Sequence, residues 1–324
     1  MPCWINYLRM SERLVFRPLS GIFLLDKATG LSSNAALQRV RRLFRAEKAG
    51  HTGSLDPLAS GLLPICLGEA TKLAGFLLDH DKRYQVRIRL GITTTTGDAE
   101  GEVLATAPVP ALTEQAIQAL LARFQGETLQ TPPMYSALRH QGQRLYELAR
   151  RGVEVERPAR PVTLHELNLL AIGADSLELA VHCSKGTYIR TLAEDIGTAL
   201  GCGGHVTLLR RTGVGDLTLT QACTESALAA LSEDERLAVL LAPDAIVKHI
   251  PAVNLSDEAG FCVSRGQAVP ATGVLAAGTV RLYVRQTGFL GMGEVRSDGY
   301  VAPRRLLRCF PQDGNHNGLK GRDS

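Results

Sequence analysis

The amino-acid sequence predicts a mixed α+β fold followed by a small, mostly β domain. Apolar and polar residues alternate at 84–90 and again at 177–183, as in half-buried strands. Helical patterns interrupt the strands irregularly, which favours an α+β fold over a regular βαβ array. After residues 249–251 the pattern changes, and apolar residues alternate at 280–284. These three observations together predict a large α+β domain and a second domain of about 60 residues.

The first predicted elements surround a loop rich in glycine, aspartate and proline. A short apolar strand covers 21–26, and Ser32 or Ser33 is placed to cap a helix that runs to about Phe44. The loop spans 50–61, and an apolar segment follows at 62–67. The chain therefore passes from a helix through a tight loop into a buried segment.

Further helices follow in the second half of the large domain. Thr113 is placed to cap a helix over 114–124. The strand at 177–183 leads through Ser184-Lys185-Gly186 into a helix over 187–200, and residues 225–248 have a helical pattern. Ser297-Asp298-Gly299-Tyr300 is typical of a hairpin turn.

Four regions follow from these patterns. We expect an N-terminal extension at 1–20, a large domain at 21–248, a small domain at 249–310 and a polar, disordered tail at 311–324. No apolar run reaches the roughly 18 residues that a membrane-spanning helix needs. The first ten residues lack the pattern of a signal peptide. We therefore expect a cytoplasmic protein with no membrane association.

Composition excludes several classes of protein. The chain has 324 residues, of which 45% are apolar and 21% charged, with few aromatics, so the core should be mainly aliphatic. The seven cysteines are scattered and include no CxxC pair. This distribution predicts reduced thiols and neither a disulfide framework nor a zinc site.

Basic residues are concentrated in two segments, although the net charge is only +4. Six arginines lie between residues 136 and 160, and five basic residues lie between 39 and 48. Such runs are typical of phosphate-binding surfaces, but they also occur on ordinary solvated helix faces. The runs alone leave both interpretations open.

The sequence lacks the common motifs of nucleotide- and metal-dependent enzymes. There is no GxxxxGK[ST] phosphate loop, no HExxH metal helix and no GxSxG nucleophile elbow. We therefore expect no cofactor and no metal.

The most informative stretch is the loop with Asp56 at its centre. Asp56 lies between Gly53 and Gly61 and precedes Pro57. Pro57 fixes its own φ and the glycines permit close approach, so the loop should be stiff. An Asp-Pro pair taken alone is an ordinary turn.

Residues 50–64 resemble the catalytic loop of the TruB family of pseudouridine synthases, GHTGxLDPxAxGxL. Further segments match the family in order; they are 25–34, 81–84, 133–138 and 183–190, and 291–293 with 301–305 in the C-terminal domain. The resemblance covers roughly residues 21–310. It implies a pseudouridine-synthase catalytic domain with a central, mainly antiparallel sheet and a β-rich, PUA-like C-terminal domain.

The resemblance also implies a reaction. A uridine of tRNA, uridine-55 in the T-loop, flips out of its stack, its glycosidic bond breaks, and the uracil rejoins through C5. Asp56 matches the essential aspartate, and a carboxylate can act as nucleophile or base without a metal. A covalent sugar adduct, a base adduct and a glycal intermediate all stay open.

Five other residues receive roles from the resemblance. Arg190 matches the arginine that pairs with the aspartate, and it should lower a pKa that burial of Asp56 alone would raise. Tyr84 matches the tyrosine that stacks on the target base, and the resemblance also implies a catalytic role for it in moving the C5 proton. Tyr188 and Leu209 match further substrate-contacting positions, and His51 matches the histidine that fills the space of the flipped uridine.

The chain departs from the family pattern at Thr93 and Thr95, where an arginine and an aspartate are usual; Asp98 remains. These changes leave the catalytic set intact. The expected partner is the T-arm of tRNA, gripped by the insertion at 136–160, and the expected state is a monomer. Two alternatives stay open. One is a guide-RNA-dependent relative, which the bacterial-type C-terminal segment disfavours, and the other is an RNA-folding factor for which catalysis is secondary.

Overall fold

The computed structural model describes residues 15–271, 276–285 and 288–308. Most of the predicted N-terminal extension, residues 1–14, and the predicted tail at 311–324 lie outside the described residues. The chain divides into two compact units, of which the first ends at Ile246 and the second begins at Val247.

The first unit is a mixed α+β structure. Its strands are β1 (Gly21–Lys27), β2 (Ala49–His51), β3 (Ser60–Leu67), β4 (Lys82–Leu90), β5 (Ile92–Thr94), β6 (Val103–Thr106), β7 (Gly126–Gln130), β8 (Arg139–His140), β9 (Gln143–Arg144), β10 (Arg160–Ile172), β11 (Ser176–Cys183), β12 (Gly204–Val214), β13 (Leu217–Thr218) and β14 (Cys223–Thr224). Its helices are α1 (Ser33–Leu43), α2 (Ala74–Leu78), α3 (Glu114–Ala122), α4 (Leu145–Ala149), α5 (Ile189–Ala199), α6 (Glu225–Ala230) and α7 (Glu233–Ala238).

One large sheet organises this unit. Its strand order is β14-β1-β3-β12-β4-β11-β10-β7, with β2 paired to β3 and β13 to β12. The pairs β1/β14 and β3/β12 are parallel, and the other neighbours are antiparallel. The predicted mainly antiparallel sheet is therefore confirmed.

Apolar faces of three helices pack against the sheet. The core combines strand residues with residues of α1, α3 and α5, for example Val40, Ile117 and Leu192. Among the described residues this core is mainly aliphatic; Phe23 and Phe44 pack together within it, with ring centroids 5.3 Å apart. The low aromatic content of the sequence predicted this.

The predicted elements agree with the structure except in two places. Ser32 and Thr113 cap α1 and α3 as predicted, through bonds from the amides of Ala35 and Ala116. The prediction of helix over 225–248 was too simple. The backbone is extended at Leu231 and a new capping box begins at Ser232, so two short helices and a 3₁₀ turn replace one helix. The loop predicted at 50–61 is also shorter than expected, because β2 includes residues 50–51 and β3 begins at residue 60.

The second unit is a small sheet with one helix in its described part. It contains β15 (Ala252–Leu255), α8 (Asp257–Ser264), β16 (Val269–Pro270), β17 (Gly278–Val284), β18 (Gly288–Val295) and β19 (Tyr300–Leu306), with the strand order β15-β17-β18-β19-β16. The predicted turn at 297–300 joins β18 to β19, which pair antiparallel. Across the described ranges of both units, no helix has the length and apolar character that crossing a bilayer requires.

A buried arginine ties the centre of the large sheet to the loop that follows β2. Arg211, in β12, is 1% exposed. Its guanidinium donates to the carbonyl oxygens of Leu62 (2.8 Å), Gly53 (3.1 Å) and Ser54 (3.3 Å). The backbone of Arg211 also lies against Gly61, whose φ is +100° and where a Cβ would approach the Arg211 oxygen to 2.3 Å. The loop is therefore fixed to β12 through both backbone and side chain.

We predict that Arg211→Met lowers the free energy of unfolding by about 2–3 kcal/mol, because buried carbonyls lose their donors while the apolar stem is kept. Arg87→Met is the matched control, since Arg87 lies in the adjacent strand β4 and pairs with Glu178 at the surface. It should cost less than about 1 kcal/mol. Urea unfolding measures both, and equal losses would contradict the role given to Arg211.

Candidate active site

A cavity of about 280 Å³ opens beside the Asp56 loop. Its lining comes from the loop, β4, β12, the start of α5 and the insertion after β7: Ser54, Leu55, Asp56, Lys82, Tyr84, Ser136, Ala137, Ser184, Gly186, Thr187, Tyr188, Ile189, Arg190, Leu209 and Arg211. Five of the six predicted site residues therefore meet at one cavity. Its volume is close to the lower end for small-molecule sites, which suits a single nucleobase.

The Asp56 loop is fixed on both sides of the aspartate. The Leu55 amide donates to Ser33 Oγ (2.7 Å), and the same hydroxyl donates to the Leu55 carbonyl (2.9 Å). The Gly30 amide donates to the Pro57 carbonyl (2.8 Å). Two residues from the matched segment at 25–34 thus hold the loop backbone next to Asp56.

Arg190 joins three segments at the cavity. It is the second residue of α5 and is 5% exposed. Its Nε lies 3.0 Å from Asp56 Oδ2, and its two terminal nitrogens donate to the carbonyls of Thr96 (2.8 Å) and Tyr135 (2.6 Å). The predicted Asp56–Arg190 pair is therefore present, and the same guanidinium also binds the loop after β5 and the insertion after β7.

A second carboxylate lies near Arg190. Asp98 is 3% exposed, and its Oδ2 lies 3.7 Å from Arg190 Nε. Its Oδ1 accepts hydrogen bonds from Thr96 Oγ1 (2.5 Å) and the Glu100 amide (3.1 Å). One arginine therefore faces two acids of unequal exposure, since the Asp56 side chain is 43% exposed.

The pKa of Asp56 is raised, because desolvation outweighs the attraction of Arg190. Asp98 also raises it by charge repulsion, and Lys27 lowers it. The expectation that Arg190 opposes the effect of burial is correct in direction, but the arginine does not reverse it. The result is a more basic carboxylate than an ordinary aspartate.

Lys27 is a buried cation behind the loop. Its Nζ donates to the carbonyls of Leu31 (2.7 Å) and Ala28 (2.9 Å). Desolvation lowers the pKa of Lys27 to about 8, although the charge of Asp56 acts in the opposite direction. The ammonium therefore stabilises the turn between β1 and α1 and adds positive potential near Asp56.

Two tyrosines line the cavity from different elements. Burial raises the pKa of the Tyr84 phenol in β4, against the opposing charge of Arg211, so its hydroxyl stays protonated. Burial likewise raises the pKa of Tyr188. The Tyr188 backbone is held at two points by the Gln130 amide, which accepts from the Tyr188 N–H (2.7 Å) and donates to its carbonyl (3.0 Å).

Leu209 and His51 differ in their placement. Leu209, in β12, is 7% exposed and lines the cavity. His51 ends β2, is half-buried, and is not part of the lining. Burial, and then the charge of Arg211, lower the pKa of His51, so its imidazole is neutral at physiological pH.

Sequence reasoning missed several residues of the site. Arg211 positions the Asp56 loop and Gln130 positions Tyr188, through contacts that only the fold creates. Lys82 was predicted only as part of a segment that matches the family. From the sequence, Asp98 was only the unchanged residue of a loop that departs from the family pattern at Thr93 and Thr95. Its one signal in the sequence is that it is the first of three acids, Asp98, Glu100 and Glu102, after a run of four threonines.

The arrangement suits chemistry by a carboxylate. A solvent-accessible carboxylate with a raised pKa lies beside a fixed guanidinium, and aromatic and apolar side chains form part of the cavity wall. In such a site a carboxylate can act as nucleophile or as general base.

Family profiles cover nearly the whole described chain. The TruB family pseudouridylate synthase N-terminal domain matches residues 41–189, and the tRNA pseudouridylate synthase B C-terminal domain matches 190–248. The C-terminal domain of pseudouridine synthase II TruB matches residues 251–307.

Curated relatives with the name tRNA pseudouridine synthase B are about half identical to this chain. The protein of Methylobacillus flagellatus is 53% identical over 299 residues, which is 92% of this chain and 99% of that protein. The protein of Nitrosococcus oceani is 53% identical over 310 residues, or 95% and 100%. A Coxiella burnetii protein is 51% identical over 300 residues, or 91% and 97%.

Solved structures show the same fold. A Cbf5–Nop10–Gar1 complex matches with a TM-score of 0.67 and 26% identity over 85% of this chain and 78% of that chain. An archaeal box H/ACA Nop10–Cbf5 complex matches with a TM-score of 0.68 and 24% identity over 90% and 87%. The predicted fold class is confirmed, and the chain belongs to the TruB family of tRNA pseudouridine synthases, isomerases that convert uridine in tRNA to pseudouridine.

Proposed function

We propose that this chain isomerises uridine-55 in the T-loop of tRNA, with Asp56 as the catalytic carboxylate. The observation that carries the proposal is the Asp56–Arg190 pair at the cavity, with the carboxylate 43% exposed and the guanidinium almost fully buried. The acid can reach a nucleotide, while the cation is fixed in the fold. We further propose that the enzyme acts as a cytoplasmic monomer.

Base flipping follows from the geometry of the cavity. A stacked, paired nucleotide hides its glycosidic bond, and a cavity for one base requires the uridine to leave its stack. Tyr84 and Tyr188 offer aromatic surfaces to the extruded base, and Leu209 offers an apolar one. A tRNA loop is a suitable target because its bases can be splayed out and stacked on such side chains. His51, on β2, would occupy the vacated position in the RNA.

The reaction rearranges atoms within one nucleotide. The N1–C1′ bond breaks, the uracil turns within the cavity and a C1′–C5 bond forms; C5 then loses its proton and N1 takes one up, so that the product is an isomer of uridine. The raised pKa of Asp56 makes its carboxylate a stronger base or nucleophile, and Arg190 stabilises its ionised form. Both roles of the carboxylate require it to be ionised.

A stand-alone enzyme is favoured over a guide-RNA-dependent one. The chain is 53% identical to tRNA pseudouridine synthase B of two bacteria but 26% identical to Cbf5, which the solved structure contains in complex with Nop10 and Gar1. The higher sequence identity to the tRNA pseudouridine synthase B proteins supports direct recognition of tRNA by this chain. The PUA-like second unit would add contacts to the RNA, since the proposed catalytic residues all lie in the first unit.

The first test replaces the carboxylate. Asp56→Asn should form no detectable pseudouridine, because the amide is neither ionised nor basic. It should bind tRNA within about tenfold of wild type, an allowance of about 1.4 kcal/mol, since Arg190 keeps its bonds to Thr96 and Tyr135. Carbodiimide mapping of unmodified tRNA transcript locates the product, and filter binding gives the affinity.

Asp175→Asn is the control for this test, since Asp175 pairs with Arg89 and neither residue lines the catalytic cavity, so turnover should not change. Isomerisation by the Asp56 variant would remove Asp56 as the catalytic residue. If the wild-type enzyme forms pseudouridine at a uridine other than uridine-55, the proposed target is wrong, but the enzyme class is unchanged.

The second test concerns pH. Activity should fall as pH falls through the pKa of Asp56, and this fall should occur above the ordinary aspartate value of about 3.9. Asp98 contributes to raising that pKa, so Asp98→Asn should move the acid limb of kcat/KM to lower pH. Glu102→Gln makes the same change of charge at an exposed position nearby and should leave the limb in place. An unmoved limb in Asp98→Asn would disprove the coupling.

The third test concerns the arginine-rich insertion, residues 136–160. Arg150 and Arg151 are exposed at the end of α4, and neither takes part in a salt bridge within the described ranges. Replacing both with Ala should weaken binding of all tRNAs and reduce the slope of log K against log salt by about 1.5–2.

The matched control for this pair is Arg87→Ala with Arg89→Ala, which removes the same charge from arginines already paired with Glu178 and Asp175. Its salt slope should change much less. If both double variants give the same slope, Arg150 and Arg151 lie on an ordinary solvated face.

A further inference from the structure

Three side chains outside the catalytic cavity converge on one point of the sheet surface. Asp81 Oδ2 lies 3.1 Å from His165 Nε2 and 3.9 Å from His182 Nε2. The three potential ligand atoms, one from each residue, all lie within 4.8 Å of one another. None of these residues has a role in the reaction proposed above.

Strand pairing and a bulge create this cluster. In the β10/β11 pair, Leu164 is opposite Cys183 and Glu166 is opposite His182, so His165 is the extra residue at a break in register. Bulges redirect a side chain in this way. The His165 ring lies 4.8 Å from the His182 ring, between centroids. Asp81 comes directly before β4, the next strand of the sheet.

We propose that Asp81, His165 and His182 bind a divalent transition-metal ion of the zinc class. Two imidazole nitrogens and one carboxylate oxygen are a ligand set that such ions prefer. A tetrahedral ion with ligands at about 2.0–2.1 Å separates them by about 3.3–3.4 Å. The two distances from Asp81 are 3.1 and 3.9 Å, and all three ligand atoms lie within 4.8 Å of one another, so rotations of the imidazole side chains would bring them to the separation that an ion requires.

Glu166 provides the outer carboxylate that metal-binding histidines usually have. Its Oε1 lies 3.7 Å from His182 Nδ1, on the opposite side of the ring from Nε2. This separation is longer than a hydrogen bond, so a rotation of the Glu166 side chain would let Nδ1–H donate to it and leave Nε2 for the ion. The side chains of Asp81, His165 and His182 are 44%, 37% and 19% exposed, so the ion can enter from solvent and keep a water ligand.

The ion would connect β10, β11 and the start of β4. Lys82 and Ser184, which line the catalytic cavity, follow Asp81 and His182 by one and two residues. No local motif indicates this site, because 83 intervening residues separate Asp81 from His165 and only the sheet brings them together. The expectation of no metal rested on the absence of contiguous motifs.

Calorimetric titration of Zn²⁺ into full-length, tag-free, metal-stripped protein at pH 7.5 tests the proposal. Wild type should bind one equivalent at this site. His165→Ala and His182→Ala should each weaken this binding by more than about 100-fold, and Glu166→Gln by about tenfold, as outer partners do. His140→Ala, at a histidine of β8 outside the cluster, is the matched control and should bind like wild type.

Co²⁺ distinguishes the proposed ligands from cysteine thiolates. Its absorption spectrum should show bands of nitrogen and oxygen coordination without a thiolate charge-transfer band, and His165→Ala should abolish them. Absence of Zn²⁺ binding, binding unchanged in His165→Ala, or a thiolate band that survives this substitution would each overturn the proposal. Unfolding midpoints measured in EDTA verify that each variant is folded, and these tests do not depend on which uridine the enzyme modifies.

Discussion

The candidate site depends on the contacts of one side-chain group, the Arg190 guanidinium. It pairs with Asp56 and binds two backbone carbonyls, one in the loop after β5 and one in the insertion after β7. These segments are remote from one another in sequence, and the contacts of Arg190 hold them together at the cavity. Burial of Arg190 in the first turn of α5 makes this arrangement costly to break, because an unpaired buried charge is strongly destabilising.

The electrostatics of the site are a balance between burial and charge. Desolvation and Asp98 favour the protonated form of Asp56, whereas Arg190 and Lys27 favour the ionised form. The balance leaves a carboxylate with a raised pKa beside a permanent cation. An aspartate held in this way remains reactive without a metal, which is consistent with an isomerisation that needs no external reactant.

Periodic segments and local motifs of this chain could be predicted from sequence, and long-range contacts could not. The strands at 84–90 and 177–183, the caps at Ser32 and Thr113, and the turn at 297–300 all follow from local rules. Asp56, Tyr84, Tyr188, Arg190 and Leu209 were assigned by resemblance, and the structure brings them to one cavity.

Other features depend on the pairing of distant strands. Arg211 reaches carbonyls about 150 residues earlier in the chain, and nothing near it in sequence indicates this. The register break at His165 likewise depends on the partner strand. The helix prediction over 225–248 failed because a capping box at Ser232 outweighed a continuous helical pattern.

The fixed backbone of the Asp56 loop has a consequence for the entropy of the reaction. Ser33, Gly30 and Arg211 hold the loop on both sides of the aspartate. The loss of backbone freedom at these positions, about 1–2 kcal/mol for each ordered residue, therefore occurs once, when the protein folds. It does not recur with each tRNA that binds. In the proposed mechanism, binding energy from the RNA would therefore be available for extruding the uridine and orienting it against a carboxylate that is already in place.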